Sequence, residues 1–244
     1  MSDSLLEILY QDDYLVVINK PSGLLVHRTQ LASQETDAVV QRLNAQLNKW
    51  VYPVHRLDRG TSGALVLAFD ANTAKLLAEQ FSQSQVEKYY LCLVRGHTES
   101  RGTIDYPLAK LNENKGKSRF KIEGTEKEAV THYKKIEGFV LNQAVSKYDT
   151  TRCCLVEVKT EQGRKHQIRR HFKHIRFPLI GDTRYGCRHH NKLFRRLGLE
   201  QRLMLHAKTL AFKHPVTGHQ LDCKASLPDG FKQTLDYLKS HTRP

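Results

Sequence analysis

A chain of 244 residues with 39% hydrophobic side chains can bury one substantial core or two small ones, the ordinary range for a globular protein. Its net charge of +14 points away from basic partners and towards a polyanion. No run approaches the ~18 apolar residues of a membrane span, and residues 1–7 lack the basic-then-apolar order of a secretory leader, so a cytoplasmic protein is expected.

Taken in chain order, Leu6 to Tyr10 and Tyr14 to Asn19 read as strands around the turn-prone Gln11-Asp12-Asp13, and Pro21-Ser22-Gly23 breaks the pattern. Val39, Val40, Leu43 and Leu47 give Thr36 to Asn48 the spacing of an amphipathic helix. Ala64 to Phe69 is a continuous apolar strand. Asp70 then introduces a helix with Ala74, Leu77, Ala78 and Phe81 on one face. Val86 to Arg95 is a strand with Tyr90 in its middle, and residues 110–128, poor in apolar anchors, read as an exposed loop or loosely held hairpin able to lie on a ligand. Thr131 to Ile136 and Arg152 to Thr160 resemble strands, and Ile168, Phe172 and Ile175 make Arg164 to Arg176 helical. His206 to Phe212 and Gln220 to Ala225 follow as strands, and Pro228 to Leu238 as a closing helix. Runs of strands broken by a few helices predict an α+β fold with a mixed, mainly antiparallel central sheet flanked by helices and loops.

The charge is unevenly placed. Residues 1–100 carry 9 Lys and Arg against 11 Asp and Glu, whereas residues 151–244 carry 20 against 7. Between Arg164 and Arg196 eleven basic residues meet one acid, Asp182. A solvated helix face mixes signs, so this region predicts phosphate contacts with strong salt dependence. Cys92, Cys153, Cys154, Cys187 and Cys223 are odd in number and lack C-x-x-C spacing, so they read as reduced, mostly buried thiols. The histidines His166, His171, His174, His189 and His190 are dense, yet no Asp or Glu completes a ligand set on that helix, and no metal site is expected.

The densest chemistry lies in His55-Arg56-Leu57-Asp58-Arg59-Gly60-Thr61-Ser62-Gly63, a carboxylate between two arginines just before an apolar run. Asp58 is expected to be a carboxylate at neutral pH, able to act as nucleophile or base. The plainer alternative is an aspartate that organises a turn with its glycine and hydroxyl neighbours.

This stretch resembles the HRLDxxTSG signature of the RluA-type pseudouridine synthases, which isomerise uridine in RNA. Lys88-Tyr89-Tyr90-Leu91-Cys92-Leu93-Val94 is similar to that family's K-x-Y-x-A-x-V segment, and Gly163-Arg164-Lys165-His166-Gln167-Ile168-Arg169-Arg170-His171 to its GRxHQ(I/L)RxH segment. Pro178 to Asp182, Leu205-His206-Ala207 and His214 to Gly218 follow in the family's order. Cys92 stands where alanine is usual and Gln162 where threonine is usual, and neither change removes a reactive group.

The resemblance implies the pseudouridine synthase fold in one catalytic domain over residues 1–244, with no N-terminal S4-type module. It implies Asp58 as catalytic aspartate, Tyr90 as the active-site tyrosine stacked on the base, and Arg169 as the arginine paired with Asp58. Ile168 would wall the uracil, and Arg56 would support its extrusion from the RNA. His55, Arg59, Thr61, Arg164, His166, Arg170, Lys173 and Arg176 complete the expected RNA-contacting set. The reaction breaks the bond from ribose C1′ to uracil N1 and joins C5 to the same carbon, with no redox change or group donor, so no cofactor is expected. The segments Gly163 to Asp182 and Leu199 to Ala207 look most like compact bacterial members that modify uridine 65 in the T-stem of certain tRNAs, making tRNA the expected partner and no protein partner obligatory. A synthase acting on ribosomal RNA or another tRNA site, and a non-catalytic RNA-binding or folding factor, are the alternatives.

Overall fold

A computed structural model describes residues 5–27, 37–111 and 122–243. The chain opens with the hairpin β1 (Glu7–Gln11) and β2 (Leu15–Lys20), whose turn is organised by Asp12: its Oδ1 accepts from Tyr14 N at 2.8 Å and Leu15 N at 2.9 Å. Helix α1 (Val39–Leu47) buries Val39, Val40 and Leu43, and left-handed Asn48 ends it. It is shorter than expected, and residue 36 lies outside the described residues. The short β3 (Tyr52–Pro53) leads into the Asp58 loop and then into β4 (Ser62–Ala68), every residue of which is buried. Helix α2 (Ala71–Ser82) is capped by Asp70, whose carboxylate accepts from Thr73 N at 2.8 Å and Thr73 Oγ1 at 2.6 Å.

Strand β5 (Glu87–Arg95) matches its pattern, but β6 (Arg101–Asp105) was not expected, because an edge strand that buries Ile104 alone has no hydrophobic alternation to show. The pair β7 (Leu108–Leu111) and β8 (Ile122–Lys127) is a small two-stranded sheet on its own; of the segment 110–128 expected as an exposed loop or loosely held hairpin, residues 112–121 lie outside the described residues. Strand β9 (Val130–Leu141) runs past Ile136 because Phe139 and Leu141 bury into the core beside Leu155 of β10 (Thr151–Thr160). Helix α3 (Gln167–His174) is confined by left-handed His166 before it and Arg176 after it. Helix α4 (Arg188–Arg196) was read only as a basic run, since Leu193 and Phe194 are its sole buried apolar residues. Strands β11 (Leu205–Lys213) and β12 (Gln220–Lys224) and helix α5 (Asp229–His241) complete the described chain.

The main sheet runs β1-β2-β4-β11-β5-β10-β9-β6, with β3 on β4 and β12 on β11. Every pairing is antiparallel except β4 with β11, which is parallel and short: Ser62 faces His206 and Gly63 faces Ala207. This contact joins two antiparallel halves, and the Asp58 loop enters the sheet at the join. Gly63 has φ +113, and a Cβ there would lie 2.2 Å from the Ala207 carbonyl oxygen. Beside it, Ser62 Oγ donates to His206 Nδ1 at 2.9 Å, and His206 Nε2 donates to the Ala225 carbonyl at 3.2 Å. Ser62 and His206 thus tie the strands together inside the protein instead of forming a nucleophile pair. Around the other end of β11, His214 Nδ1 accepts from Val216 N and Thr217 N while Nε2 meets Asp12 Oδ2 at 2.8 Å, so that segment shapes a turn.

Replacing Gly63 with alanine should destabilise the protein by on the order of 3 kcal/mol in urea unfolding, combining strain with a clash against backbone. Gly218→Ala, at φ +75 but with nothing within 4 Å of the added Cβ, should cost only about 1 kcal/mol.

Candidate active site

Asp58 sits in the turn just before β4, where Thr61 N donates to the Asp58 carbonyl at 3.0 Å. The loop is held from one side by the segment that follows β2. Ser22 Oγ donates to the Gly60 carbonyl at 2.7 Å, Gly23 N to the Arg59 carbonyl at 2.7 Å, and Arg59 Nε back to the Gly23 carbonyl at 2.9 Å. Beneath them lies Lys20, fully buried, with Nζ donating to the carbonyls of Pro21 and Leu24 at 2.8 Å and of Arg59 at 3.3 Å. Burial lowers the Lys20 ammonium from 10.5 to about 7, with the Asp58 carboxylate opposing. Sequence reasoning passed over this residue, although a lysine ahead of Pro-Ser-Gly at the end of an apolar strand was visible.

Helix α3 delivers the counter-charge. Two of its motif residues face inward and bind it to β9: Gln167 Nε2 donates to the Val130 carbonyl at 2.9 Å, and His171 Nδ1 meets Thr131 Oγ1 at 2.9 Å. With Phe172 also fully buried, this fixes the rotation of the helix. Arg169 is thereby aimed at the loop, and its Nη1 donates to Asp58 Oδ2 at 3.0 Å. Its other edge makes a two-pronged pair with Asp182, Nε to Oδ2 at 2.7 Å and Nη2 to Oδ1 at 3.0 Å. Asp182 Oδ1 also accepts from Arg184 N and Tyr185 N at 2.9 Å. Burial works against both charges, but the two carboxylates outweigh it for Arg169 and raise its pKa, while Arg169 and the backbone donors lower that of Asp182.

A cavity of about 70 Å³ opens beside Asp58, lined by Tyr90, Ile168, Leu205 and Thr61 among others. Tyr90 projects from the middle of β5, opposite Ala207 of β11 and Val158 of β10. Burial raises its phenol pKa, the Asp58 charge adds to this, and a hydrogen bond with Thr160 opposes it. Tyr90 is therefore a neutral hydroxyl with its ring beside the cavity. A wider cleft of about 550 Å³ adjoins the cavity, and Arg56, Asp58, His166 and Arg169 line both. Arg56 is exposed, and no carboxylate pairs with it among the described residues. Arg59, Lys165, Arg184 and Arg202 continue the basic lining.

The remaining expected contacts divide by direction. His55 turns inward: it lines neither cavity, accepts from Val66 N at 3.1 Å, stacks on Phe81 at 4.4 Å between ring centroids, and is pushed down to about 3 by burial and then Lys88. It is a neutral residue that braces β4 and α2 and is turned away from both cavities. Arg164 Nε donates to the Glu128 carbonyl and Arg170 Nη1 to the Ala109 carbonyl, so both brace α3 against the neighbouring strands. Lys173 and Arg176 are exposed beyond the cavity. His166 lies 3.8 Å from Asp58, and burial lowers its pKa to about 4 against the pull of that carboxylate, so it is a neutral neighbour that bonds Tyr185 at 3.0 Å. His171 Nδ1 meets Thr131 of β9 and its Nε2 the Tyr106 carbonyl, while His174 stacks on the Tyr106 ring, so neither joins His166 at Asp58. No group of three or more metal-ligating side chains occurs among the described residues.

An aspartate-arginine pair beside a tyrosine-lined pocket coincides with a family model, RNA pseudouridylate synthase, that matches residues 14–174. The chain belongs to that family. It is 48% identical to tRNA pseudouridine synthase C of Pasteurella multocida, over 96% of this chain and 95% of the relative, and 45% identical to tRNA pseudouridine synthase C of Vibrio parahaemolyticus over 93% of each. Among solved structures it resembles human RNA Pseudouridylate Synthase Domain Containing 4, at 29% identity and a TM-score of 0.72, covering 96% of this chain and 93% of that one. The α+β pseudouridine synthase fold and the isomerase class expected from the motifs are therefore shown.

Because the Lys20 pKa is lower in the folded protein than in the unfolded chain, the native state binds fewer protons between about pH 7 and 10.5. Its contribution to stability should thus rise with pH over that window, by up to roughly 1.4 kcal/mol per pH unit. Urea unfolding at pH 7 and pH 9 should show that rise in the wild type and a flatter dependence in Lys20→Met; parallel pH curves would contradict the assignment.

Proposed function

We propose that the protein is a tRNA pseudouridine synthase of the cytoplasm, acting on uridine 65 of the T-stem. The observation that carries the reading is the Asp58–Arg169 pair at the junction of the small pocket and the wide basic cleft. The chemistry needs a pocket for one extruded base next to a channel for its backbone, and the names of the relatives at 45–48% identity support tRNA as substrate. The particular uridine rests on the resemblance of the Gly163–Asp182 and Leu199–Ala207 segments.

In this reading the target nucleotide leaves its stack at a cost of a few kcal/mol and enters the pocket between Tyr90 and Ile168, while Arg56 braces the vacated position from the cleft. Asp58 faces the ribose. It attacks C1′ or removes the 2′ proton, and either route releases the uracil anion from N1. The base turns within the pocket and C5 joins C1′ as the Asp58–C1′ bond breaks, or as Asp58 returns the proton to C2′; C5 then loses its proton and N1 takes one up, which restores the aromatic ring. Arg169 holds the Asp58 carboxylate at one oxygen, and Tyr90, whose phenol stays protonated, offers the base its ring face. Every atom of uridine is retained, as an isomerisation requires.

Unmodified tRNA from a strain lacking the gene should acquire a carbodiimide-dependent reverse-transcription stop at position 65 with the wild-type protein and none with Asp58→Asn. A stop elsewhere in tRNA, or only in ribosomal RNA, would replace the target and keep the chemistry; no stop in either RNA would favour a binding factor. Asp58→Asn should retain tRNA affinity, since Arg169 keeps Asp182 as partner. Tyr90→Phe should bind tRNA normally and slow single-turnover formation by on the order of 10²-fold. Equal losses of affinity and rate would contradict that division of roles.

A further inference from the structure

Helix α4 carries a charge pattern that its own packing does not explain. It buries His190, Leu193 and Phe194 and turns Arg188, His189, Lys192, Arg195 and Arg196 outward. Arg188 and Lys192, and Lys192 and Arg196, stand four residues apart, where like charges repel along a helix. Arg188 also occupies the first turn, which holds no acidic residue and where the helix dipole disfavours a cation. No acidic side chain pairs with Arg188, Lys192 or Arg196 among the described residues. Such a face is unfavourable in isolation and is relieved by an anion laid along it.

The helix is rigidly joined to the catalytic cleft. Asn191 Oδ1 accepts from Gly181 N, and its Nδ2 donates to the Asp182 carbonyl, both at 3.0 Å. Arg195 Nε donates to Gln201 Oε1 at 3.0 Å, and Gln201 with Arg202 forms the cleft wall. Between the cleft cations Arg56 and Arg184 and the face of α4 stands Arg202, whose charge Glu200 pairs at 2.8 Å, so the cations of α4 form a basic face of their own beside the cleft.

We infer that the outer face of α4 is a second docking surface, which takes the phosphate backbone of the RNA helix flanking the target uridine and sets affinity without touching the reacting base. The inference rests on the tRNA synthase reading. It assigns α4 to binding alone, because none of its residues lines the pocket beside Asp58.

The test compares two variants of the full chain with equal loss of charge. One is Arg188→Gln with Lys192→Gln and Arg196→Gln. The other is Lys75→Gln with Lys213→Gln and Lys224→Gln, exposed cations that line neither cavity. Binding of unmodified tRNA is followed over a salt series, and single-turnover pseudouridine formation at saturating tRNA. The α4 variant should bind about 10-fold or more weakly and lower the slope of log Kd against log salt by about 2, while its saturated rate stays at the wild-type value. The other variant should keep the wild-type slope. An unchanged slope in a correctly folded α4 variant, as for a surface that takes a protein instead, would overturn the inference, as would equal losses in both variants. Wild-type protein that modifies no tRNA would refute the tRNA reading, and the slopes would still decide whether α4 holds RNA.

Discussion

Everything in the site depends on keeping one buried guanidinium paired. Arg169 is mostly withdrawn from solvent, and an unpartnered cation there would cost several kcal/mol. Asp182 takes two of its hydrogen-bonding positions and Asp58 a third. Asp182 therefore keeps a carboxylate against Arg169 whatever the charge on Asp58, and the arginine needs no movement of the chain to stay paired.

That arrangement requires three distant segments to meet, and the sheet brings them together. The parallel contact of β4 with β11 places the Asp58 loop at the seam between two antiparallel halves. From the C-terminal half, β5 supplies Tyr90 and β11 supplies Leu205, while the chain leaving β10 enters α3. The short motif around Thr61-Ser62-Gly63 is as much about this seam as about chemistry. Thr61 closes the turn on Asp58, Ser62 bonds His206, and Gly63 lets the Ala207 backbone pass.

The electrostatics separate into two regions by solvent access. Inside, burial leaves His55 and His166 neutral, and it lowers Lys20 as well, although three carbonyls are turned towards its Nζ. Outside, arginines and lysines line the cleft and cover α4, where water screens them until an anion displaces it. A count of basic residues merges these populations. Arg164 and Arg170 belong to the count, yet their guanidinium groups brace backbone carbonyls.

Residue order alone was enough to single out Asp58, Arg169 and Tyr90, which the structure brings to one cavity, because each lies in a short pattern whose side chains make little sense as a surface. It was also enough for most strands, since apolar runs such as residues 64–69 can be buried only in a sheet. Elements with few buried apolar residues escaped it, as β6 and α4 show. The partnership of Asp182 with Arg169, the place of Lys20 beneath the loop, and the inward turn of His55 were decided by tertiary structure. Asp58 and Arg169 are 111 residues apart, and which atom of a side chain meets which partner depends on strand register and helix rotation. Local sequence specifies which reactive groups are present; only packing determines which way they face.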